Sequence, residues 1–402
     1  MTATAVVTGI GVTAPNGLGT AAWWAAVLRG ESGIGPVTRF DASGYPVRLA
    51  GEVPGFITED HVPSRLLPQT DRVTRLSLAA AKEALDDAGV DPAELPDYSA
   101  GVVTASSAGG FEFGQRELQA LWSRGGRHVS AYQSFAWFYA VNTGQISIRH
   151  GLQGAGGAIV SEQAGGLDAL GQARRHIRRG TRLVITGGVD SALCPWGWAA
   201  HLAGGGLSTA DDPERAFLPF DAGARGHVVG EGGALFVLED QVAARERGAA
   251  VYGSVAGYAA TFDGVGSPRL ADAARLALAD AGVTADDVDV VFADAAGARG
   301  ADRAEAEVIA GLFGAFGVPV TAPKSMTGRL LAGGASLDLA ATLFALRDQV
   351  IPPTTGTLRP ADDCPVDLVI GTPRHGVRLR NALVLARGRG GFNAAAVVRG
   401  TD

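Results

Sequence analysis

One stretch of this chain occurs twice, and the repeat limits the folds that the chain can adopt. AKEALDDAGVDPAEL at 81–95 and ARLALADAGVTADDV at 274–288 are identical at seven of fifteen positions, at a constant offset of 193 residues. An apolar strand pattern that ends in small residues follows each copy. Two interpretations are open: two similar alanine-rich helices with glycine caps, or a duplicated βα layer. The second predicts two halves that share one core, residues 1–250 and 251–402.

Short β-rich runs alternate with longer alanine-rich stretches, which is typical of an α/β fold. Apolar residues in the longer stretches recur with the period of amphipathic helices. The predicted strands are 5–9, 101–105, 182–187, 234–238, 288–293, 366–370 and 382–386, and the predicted helices are 75–88, 167–178, 269–281 and 337–348. We therefore expect helices packed in layers against a sheet.

Composition excludes several classes of function. The chain has 34 Lys and Arg against 41 Asp and Glu, so binding to nucleic acid through bulk positive charge is not expected. Its two cysteines are too few for a disulfide framework or a zinc cage. No apolar run reaches the roughly 18 residues of a membrane span, and the first residues show no export signal. We expect a cytoplasmic protein that binds neither metal, nucleic acid nor membrane.

Several motifs together carry a family resemblance. They are VTGIGV at 7–12, PFD at 219–221 with GEGG at 230–233, KSMTG at 324–328, and FAWFYAVNTGQ at 135–145. With them the chain resembles the thiolase-fold β-ketoacyl synthases over essentially its full length. Within that family it resembles the chain length factor, the β subunit of bacterial type II polyketide ketosynthases. The resemblance implies an α/β thiolase fold of five layers, αβαβα, built from two pseudo-repeated halves.

Active members of the family use one cysteine and two histidines, and the matching positions of this chain hold neither residue type. The cysteine position, in SEQAGGLD at 161–168, is Gln163, whose carboxamide cannot form an acyl-enzyme. The first histidine position is Ala296, in DAAG at 294–297. The second is Arg329, which cannot exchange a proton at neutral pH. The resemblance thus implies a subunit with no condensing activity of its own.

Three interpretations of the function stay open. A chain length factor pairs with a ketosynthase and sets the length of the poly-β-ketone built from malonyl units on an acyl carrier protein, in aromatic polyketide biosynthesis. Gln163 would instead support decarboxylation of malonyl-carrier protein, and so chain initiation, as has been proposed for the family. The third candidate is a scaffold that only stabilises the ketosynthase and docks the carrier protein.

Four other positions are expected to be structural. Lys324 matches a lysine of the catalytic network in active relatives, but its partners are replaced, so we expect a salt bridge. Arg389, in GRGGFN at 388–393, stands where an apolar aromatic residue is expected, so the oxyanion hole that this loop helps to form should be lost. Cys194 and Cys364 have no histidine nearby in sequence, and we expect buried thiols rather than a relocated nucleophile.

The resemblance also implies partners. We expect an obligate heterodimer with a ketosynthase α subunit, and phosphopantetheine carried by the acyl carrier protein rather than a cofactor bound by this chain. Phe135, Trp137, Phe138 and Tyr139 are too apolar for a surface loop and belong either to this interface or to an ordinary core. The arginine-rich stretch 174–179 is either a docking patch for an acidic carrier protein or a solvated helix face.

Chain length is controlled in the family by a tunnel at the subunit interface, into which the polyketide intermediate grows until bulk stops it. The gating positions carried over from the family are Phe111, Gly114 and Leu118, whose spacing places them on one helix face. Members that stop early tend to have larger residues at the last two positions. Glycine and leucine there predict a roomier tunnel and a longer product. The alternative is that Phe111 and Phe113 only pack an amphipathic helix.

Overall fold

The computed structural model describes residues 3–401. The strands are β1 Ala5–Ala14, β2 Gly17–Leu18, β3 Ile34–Pro36, β4 Leu49–Gly51, β5 Ala100–Ala105, β6 Gly156–Ile159, β7 Leu183–Asp190, β8 Val229–Gly230, β9 Gly232–Asp240, β10 Gly253–Phe262, β11 Val290–Phe292, β12 Pro319–Thr321, β13 Asp367–Leu368, β14 Asn381–Gly388 and β15 Phe392–Gly400. Each strand predicted from the sequence overlaps one of these, so the strand predictions are confirmed.

The helices include all four that the sequence predicted. They are α1 Thr20–Arg29, α2 Thr58–His61, α3 Arg72–Ala88, α4 Phe111–Arg124, α5 Gln133–Ala136, α6 Val141–His150, α7 Gly165–Arg178, α8 Pro195–Gly204, α9 Gln241–Glu246, α10 Leu270–Ala281, α11 Arg299–Phe313 and α12 Ala332–Asp348. None of the helices between residues 3 and 401 is both long enough and apolar enough to cross a membrane.

The main sheet repeats one strand arrangement twice. Its order is β13-β12-β11-β14-β15-β10-β1-β9-β7-β5-β6, with β2 beside β1. In one half β1 pairs with β9 and β9 with β7, all antiparallel, and β7 is followed by the parallel strands β5 and β6. In the other half β10, β15, β14, β11 and β12 repeat this pattern. The halves meet where β1 pairs with β10, so the duplicated layer predicted from the repeat is confirmed.

The repeated sequence is a helix end that contacts the first strand of its own half. The glycine of each copy ends α3 or α10 in the left-handed conformation, with φ of 61° and 67°. Asp87 of α3 accepts a hydrogen bond from the N–H of Ile10 in β1 at 2.9 Å. Asp280 of α10 accepts one from the N–H of Tyr258 in β10 at 3.0 Å. The identical residues therefore mark the same helix–strand contact in both halves.

Helices α7 and α12 form a central layer between the two halves of the sheet. Every residue of α12 from Ala332 to Leu346 is buried, and the helix contacts β7 and β9 on one side and β14 and β15 on the other. A Cβ at Gly166 of α7 would lie 2.2 Å from Ser336 Oγ, so glycine is needed for this close helix contact. Helices α3 and α6 cover one half; α10 covers the other, where α11 packs in the same apolar core as β11 and β12. These are the five layers expected of the fold.

Candidate functional site

A cavity of about 230 Å³ lies at the position of the replaced residues. Its wall comes from the loop between β5 and α4, the 3-10 turn Glu162–Ala164, helix α8, the loop before α12 and the turn between β14 and β15. The wall includes Phe111, Gln163, His201, His227, Arg329 and Arg389. Two of the three replaced positions thus share one cavity, while Ala296 lies in an adjoining loop, whose Asp294 binds Arg329.

Gln163, which the resemblance predicts at the nucleophile position, is 4% exposed and is held by the backbone of Leu331. In the amide orientation that satisfies both atoms, Nε2 donates to the Leu331 oxygen at 3.2 Å and Oε1 accepts from the Leu331 nitrogen at 3.0 Å. The carboxamide therefore acts as a clamp between the start of α7 and the loop before α12.

The Glu162 carboxylate accepts hydrogen bonds from two backbone N–H groups beside the Gln163 side chain. Its Oε2 accepts the N–H of Gln163 at 2.9 Å and the N–H of Arg389 at 2.8 Å. Two backbone N–H groups converging on one oxygen are the arrangement with which an oxyanion hole holds a thioester carbonyl. Here a side chain of the same protein fills it. The loss of this hole was predicted from Arg389, but the residue that occupies the donors is Glu162.

Ala296 is half-buried in a loop fixed by two carboxylates of α11. Glu305 accepts the N–H groups of Asp294 and Ala295 at 2.7 and 2.8 Å. Asp302 accepts the N–H of Gly297 at 3.0 Å. The loop is therefore held in place by these hydrogen bonds, and Ala296 contributes only a methyl group to it.

Arg329 forms a buried ion pair at the second histidine position. Its guanidinium nitrogens lie 3.0 and 3.2 Å from the two carboxylate oxygens of Asp294, and Nη2 also donates to the Arg387 oxygen at 3.1 Å. Burial alone would raise the pKa of Asp294, but the charges of Arg329 and Lys324 outweigh it and lower the pKa. The Arg329 side chain therefore neutralises a buried carboxylate.

Lys324 makes the salt bridge that was expected of it. Its Nζ lies 2.6 Å from Asp338 Oδ2 and donates to the carbonyl oxygens of Ala293 and Asp294 at 2.9 and 2.8 Å. Burial raises the pKa of Asp338 to about 6 against the opposing effect of Lys324. With Arg329 and Asp294 this gives two buried cations and two buried anions beside the cavity.

Three residues at the replaced positions keep a strained backbone. Glu162, Ala295 and Leu331 have positive φ values of 52°, 48° and 51°, which residues other than glycine rarely adopt. Each lies within two residues of a replaced position. Strain of this kind persists where the surrounding structure enforces it, typically at active sites. The three predicted positions thus lie beside backbone that the surrounding structure holds in a rare conformation.

Two histidines that no motif predicted, His201 and His227, lie in this cavity. Burial, together with the charge of Arg389, lowers the pKa of His201 to about 4. Burial, together with Arg329, lowers the pKa of His227 to about 3. Both imidazoles are therefore neutral at physiological pH. They come from α8 and from the segment before β8, far in sequence from the three predicted positions. No sequence motif predicted that these two histidines lie in one cavity.

His201 should make the protein less stable in acid. Its pKa falls from 6.5 in the unfolded chain to about 4 in the folded protein, so the unfolded chain binds the additional proton between these values. The contribution is complete above pH 6.5 and is lost as pH falls towards 4, at most about 3 kcal/mol at 1.36 kcal/mol per pKa unit. His201→Gln should therefore flatten the fall in Tm with acidification, measured by calorimetry. The same change at exposed His375 is the control, and equal slopes for His201→Gln and the wild type would contradict the prediction.

The two cysteines are buried thiols, as expected. Burial raises the pKa of Cys194 and of Cys364 to about 11. Cys194 Sγ accepts the N–H of Gly197 at 3.5 Å, at the start of α8. A thiol with so high a pKa is not a nucleophile at neutral pH. Among residues 3–401, no group of three or more metal-ligating side chains is placed to hold a metal ion.

The three positions predicted to gate chain length lie on α4, and Trp196, which no motif predicted, lies against two of them. The Trp196 ring of α8 lies 4.7 Å from the Phe111 ring between centroids. A Cβ at Gly114 would lie 2.9 Å from Trp196 Cζ3, and the Trp196 N–H donates to Gln115 Oε1 at 2.6 Å. Trp196 and Leu118 line an open groove. The only sequence signal for Trp196 was a tryptophan after the proline that begins α8.

Phe111 and Phe113 have different surroundings. Phe113 is 1% exposed and packs in the interior, as the alternative of an amphipathic helix predicted. Phe111 is half-buried and forms part of the cavity wall. The packing alternative therefore holds for Phe113 and leaves Phe111 between the cavity and the groove.

The aromatic segment after α5 is largely exposed. Trp137, Phe138 and Tyr139 have exposed fractions of 46%, 39% and 40%, and Phe135 is half-buried. Of the two alternatives, an ordinary core is wrong for the exposed three. Adjacent exposed aromatic residues mark surfaces that bind other proteins. The segment is tied to α4, since the Gly110 N–H donates to the Trp137 oxygen at 3.0 Å.

The arginine-rich stretch is not a uniform solvated face. Arg174 is 5% exposed and forms an ion pair with Asp280, which also lies near Arg178. Arg175 donates to Gln172 on the same helix. The expectation of solvated arginines is wrong for Arg174, because it ties α7 to α10 in the interior.

Comparison with known proteins places the chain among polyketide ketosynthases. The family models described as beta-ketoacyl synthase, N-terminal domain and beta-ketoacyl synthase, C-terminal domain match residues 3–244 and 252–357. The chain is 59% identical over 98% of both chains to the actinorhodin polyketide putative beta-ketoacyl synthase 2 of Streptomyces coelicolor. It is 58% identical, again over 98% of both, to the tetracenomycin polyketide synthase ketoacyl synthase beta subunit of Streptomyces glaucescens.

Two solved structures match over the full length of both chains. One is the ishigamide ketosynthase/chain length factor, with a TM-score of 0.91 and 27% identity. The other is a type II polyketide synthase acyl-carrier protein in complex with its ketosynthase bound to the hexaketide, with a TM-score of 0.88 and 26% identity.

Proposed function

We propose a function from one premise: the chain belongs to the β-ketoacyl synthase family and is a homologue of the ketosynthase β subunits, or chain length factors, of type II polyketide synthases. We infer that it is the non-condensing subunit of a cytoplasmic ketosynthase heterodimer and shapes the tunnel in which an aromatic polyketide backbone grows. Its partners are then a ketosynthase α subunit, the polyketide intermediate, and an acyl carrier protein whose phosphopantetheine holds the malonyl units. The halves 1–250 and 251–402 belong to the same proposal and are supported by the repeated strand order.

The observation that carries this proposal is the chemistry of the cavity. No cysteine is among the residues that line it, within the part of the chain that the structure describes. The N–H groups of Gln163 and Arg389 are bound to Glu162. A thioester in this cavity would meet neither a cysteine thiolate nor the pair of converging backbone N–H groups that forms an oxyanion hole. Condensation must therefore occur on a second chain, and this chain contributes shape.

The groove on α4 and the exposed aromatic segment support pairing with that second chain. The two features are adjacent, since the Cβ of Trp137 in the segment lies 3.6 Å from the position of a Cβ at Gly114 of α4. The segment presents three adjacent aromatic rings to solvent, and aromatic residues of this kind are the usual anchors of a protein interface. A groove next to such an interface is where a tunnel between two subunits would run.

Trp137→Asp should abolish co-purification with the ketosynthase α subunit. A charge at the centre of an apolar interface is buried without a partner, so the complex should weaken at least 100-fold, equivalent to about 3 kcal/mol. The measurement is co-expression with one tagged subunit, followed by size-exclusion chromatography and mass determination of the polyketide. Phe316→Asp is the control, because Phe316 is also exposed, at 63%, but lies between α11 and β12, outside both the segment and the groove. A normal yield of complex from Trp137→Asp would contradict this interface.

Decarboxylation by Gln163 is less well supported. Both atoms of its carboxamide are engaged with Leu331, and the Glu162 carboxylate would repel the carboxylate of a malonyl group. Gln163→Ala should therefore leave the rate of acetyl-carrier protein formation unchanged in the purified heterodimer. A fall of 10-fold or more, about 1.4 kcal/mol in activation free energy, would restore the decarboxylase alternative. Gln172→Ala, on the outer part of α7, is the matched control.

A further inference from the structure

We propose that the cavity beside Gln163 receives the oldest end of the growing poly-β-ketone, and that His201 and His227 hydrogen-bond to its ketone oxygens. The inference rests on the proposed function, because it needs a chain that grows from a second subunit along the α4 groove. It adds a terminal binding site to that tunnel and assigns it a ligand chemistry, a neutral 1,3-diketone.

The cavity contains polar atoms that the described residues leave without partners. Ser107 Oγ and His201 Nε2 are buried, and neither has a hydrogen-bond partner among residues 3–401. The His227 ring also lines the cavity and makes no hydrogen bond to another of these residues. Buried polar groups are nearly always satisfied in native proteins, so two such atoms, Ser107 Oγ and His201 Nε2, around one space indicate a polar ligand there.

The charges around the cavity favour a neutral ligand over an anion. Glu162 and Arg389 bring one negative and one positive side chain to the cavity wall, and the Asp294 carboxylate is paired with Arg329. A carboxylate or phosphate group would therefore gain no net attraction and would be repelled by Glu162. Both imidazoles are neutral, so each offers one N–H donor, which suits a ketone oxygen.

The cavity adjoins the groove through a wall of two aromatic rings. Phe111 lines the cavity, Trp196 lines the groove, and their rings are in contact. Helix α8 runs from Trp196 on the groove side to His201 in the cavity, just over one turn further along. A chain that follows the groove past these rings thus reaches the histidines. The volume of about 230 Å³ is below the roughly 300 Å³ of the smallest typical ligand pockets, which suits the end of a chain rather than a whole molecule.

Variants that fill or depolarise the cavity should shorten the product without touching the groove. In the heterodimer supplied with malonyl-carrier protein, Ser107→Leu and the double variant His201→Leu with His227→Leu should each shift most of the polyketide to shorter chains, measured by mass spectrometry. His150→Leu is the matched control, since its Nε2 is also buried without a partner but lies in a different pocket. Unchanged length in the cavity variants, while Gly114→Thr with Leu118→Phe shortens the product, would overturn the inference and leave the proposed function standing. Unchanged length in all of them would overturn both.

A binding measurement tests the same inference without turnover. The heterodimer, labelled with carbon-13 at the histidine rings, is titrated with pentane-2,4-dione as a model of the chain end. The resonances of His201 and His227 should shift and saturate, and that of His150 should stay in place. Acetate of the same concentration should cause no saturable shift, because the cavity favours a neutral group. Saturable shifts with acetate alone, or none with the diketone, would overturn the inference even if a cavity variant failed to fold.

Discussion

Arg329→Ala should lower the free energy of unfolding by about 3 to 5 kcal/mol, because it leaves the Asp294 carboxylate buried and unpaired. The side chains of Arg329 and Asp294 are 8% and 3% exposed, so water cannot replace the lost partner. The Arg329 contact to the Arg387 oxygen is lost as well, which loosens the end of β14. Urea unfolding of the purified protein gives the free energy, and its m-value reports whether the denatured state has changed.

Arg359→Ala is the control for this prediction. Arg359 forms an ion pair with Asp362, but their side chains are 77% and 88% exposed, and pairs of this kind contribute less than about 1 kcal/mol. The double variant Arg329→Met with Asp294→Val removes both charges and should change the free energy of unfolding little, because replacing a buried ion pair by apolar groups is often neutral. Comparing it with Arg329→Ala shows whether the loss comes from the unpaired carboxylate. If Arg329→Ala lowers the free energy of unfolding by less than about 1 kcal/mol, Arg329 does not stabilise the fold through its ion pair with Asp294.

The sequence predicted the duplicated fold well, and its errors have a common cause. The strand predicted at 5–9 continues to Ala14. In the structure, a Cβ at Gly9 would lie 2.1 Å from the Ala84 oxygen, so the glycine allows α3 to approach the strand. Packing between distant segments set these boundaries, and local propensity does not report it.

The same holds for α12, which was predicted to start at residue 337 and begins at Ala332. Gly333 and Gly334 disfavour a helix locally. A Cβ at Gly333 would lie 2.0 Å from the Gly232 oxygen, so the central layer requires glycine there. Helix propensity was overridden by the close contact between α12 and the sheet.

Motif matching predicted that Gln163, Ala296 and Arg329 belong to one site, and two of them, Gln163 and Arg329, line one cavity. It could not show that Glu162 fills the backbone donors, since one of them belongs to Arg389, 227 residues away. His201 was missed for the same reason: contacts between distant segments have no local sequence signal.

Gly114→Thr together with Leu118→Phe should shorten the polyketide by at least one ketide unit in most of the product. Any Cβ at position 114 lies 2.9 Å from Trp196 Cζ3, so threonine must push this ring into the groove. Phenylalanine at 118 then fills the groove from the opposite wall, which reduces the length of chain that fits. The measurement is mass spectrometry of the product made by the heterodimer, with total turnover recorded alongside.

Matched controls separate bulk in the groove from bulk anywhere on a helix. Gly311→Thr lies on α11, where a Cβ would meet no atom within 4 Å, and Leu276→Phe lies on α10 at a leucine that is 53% exposed. Both should leave product length unchanged. If the groove variant forms a normal complex and still gives full-length product, the chain supports its partner only as a scaffold. Shorter product at an unchanged yield of complex shows instead that this subunit limits the length, because it supplies no reactive group through which the substitutions could act.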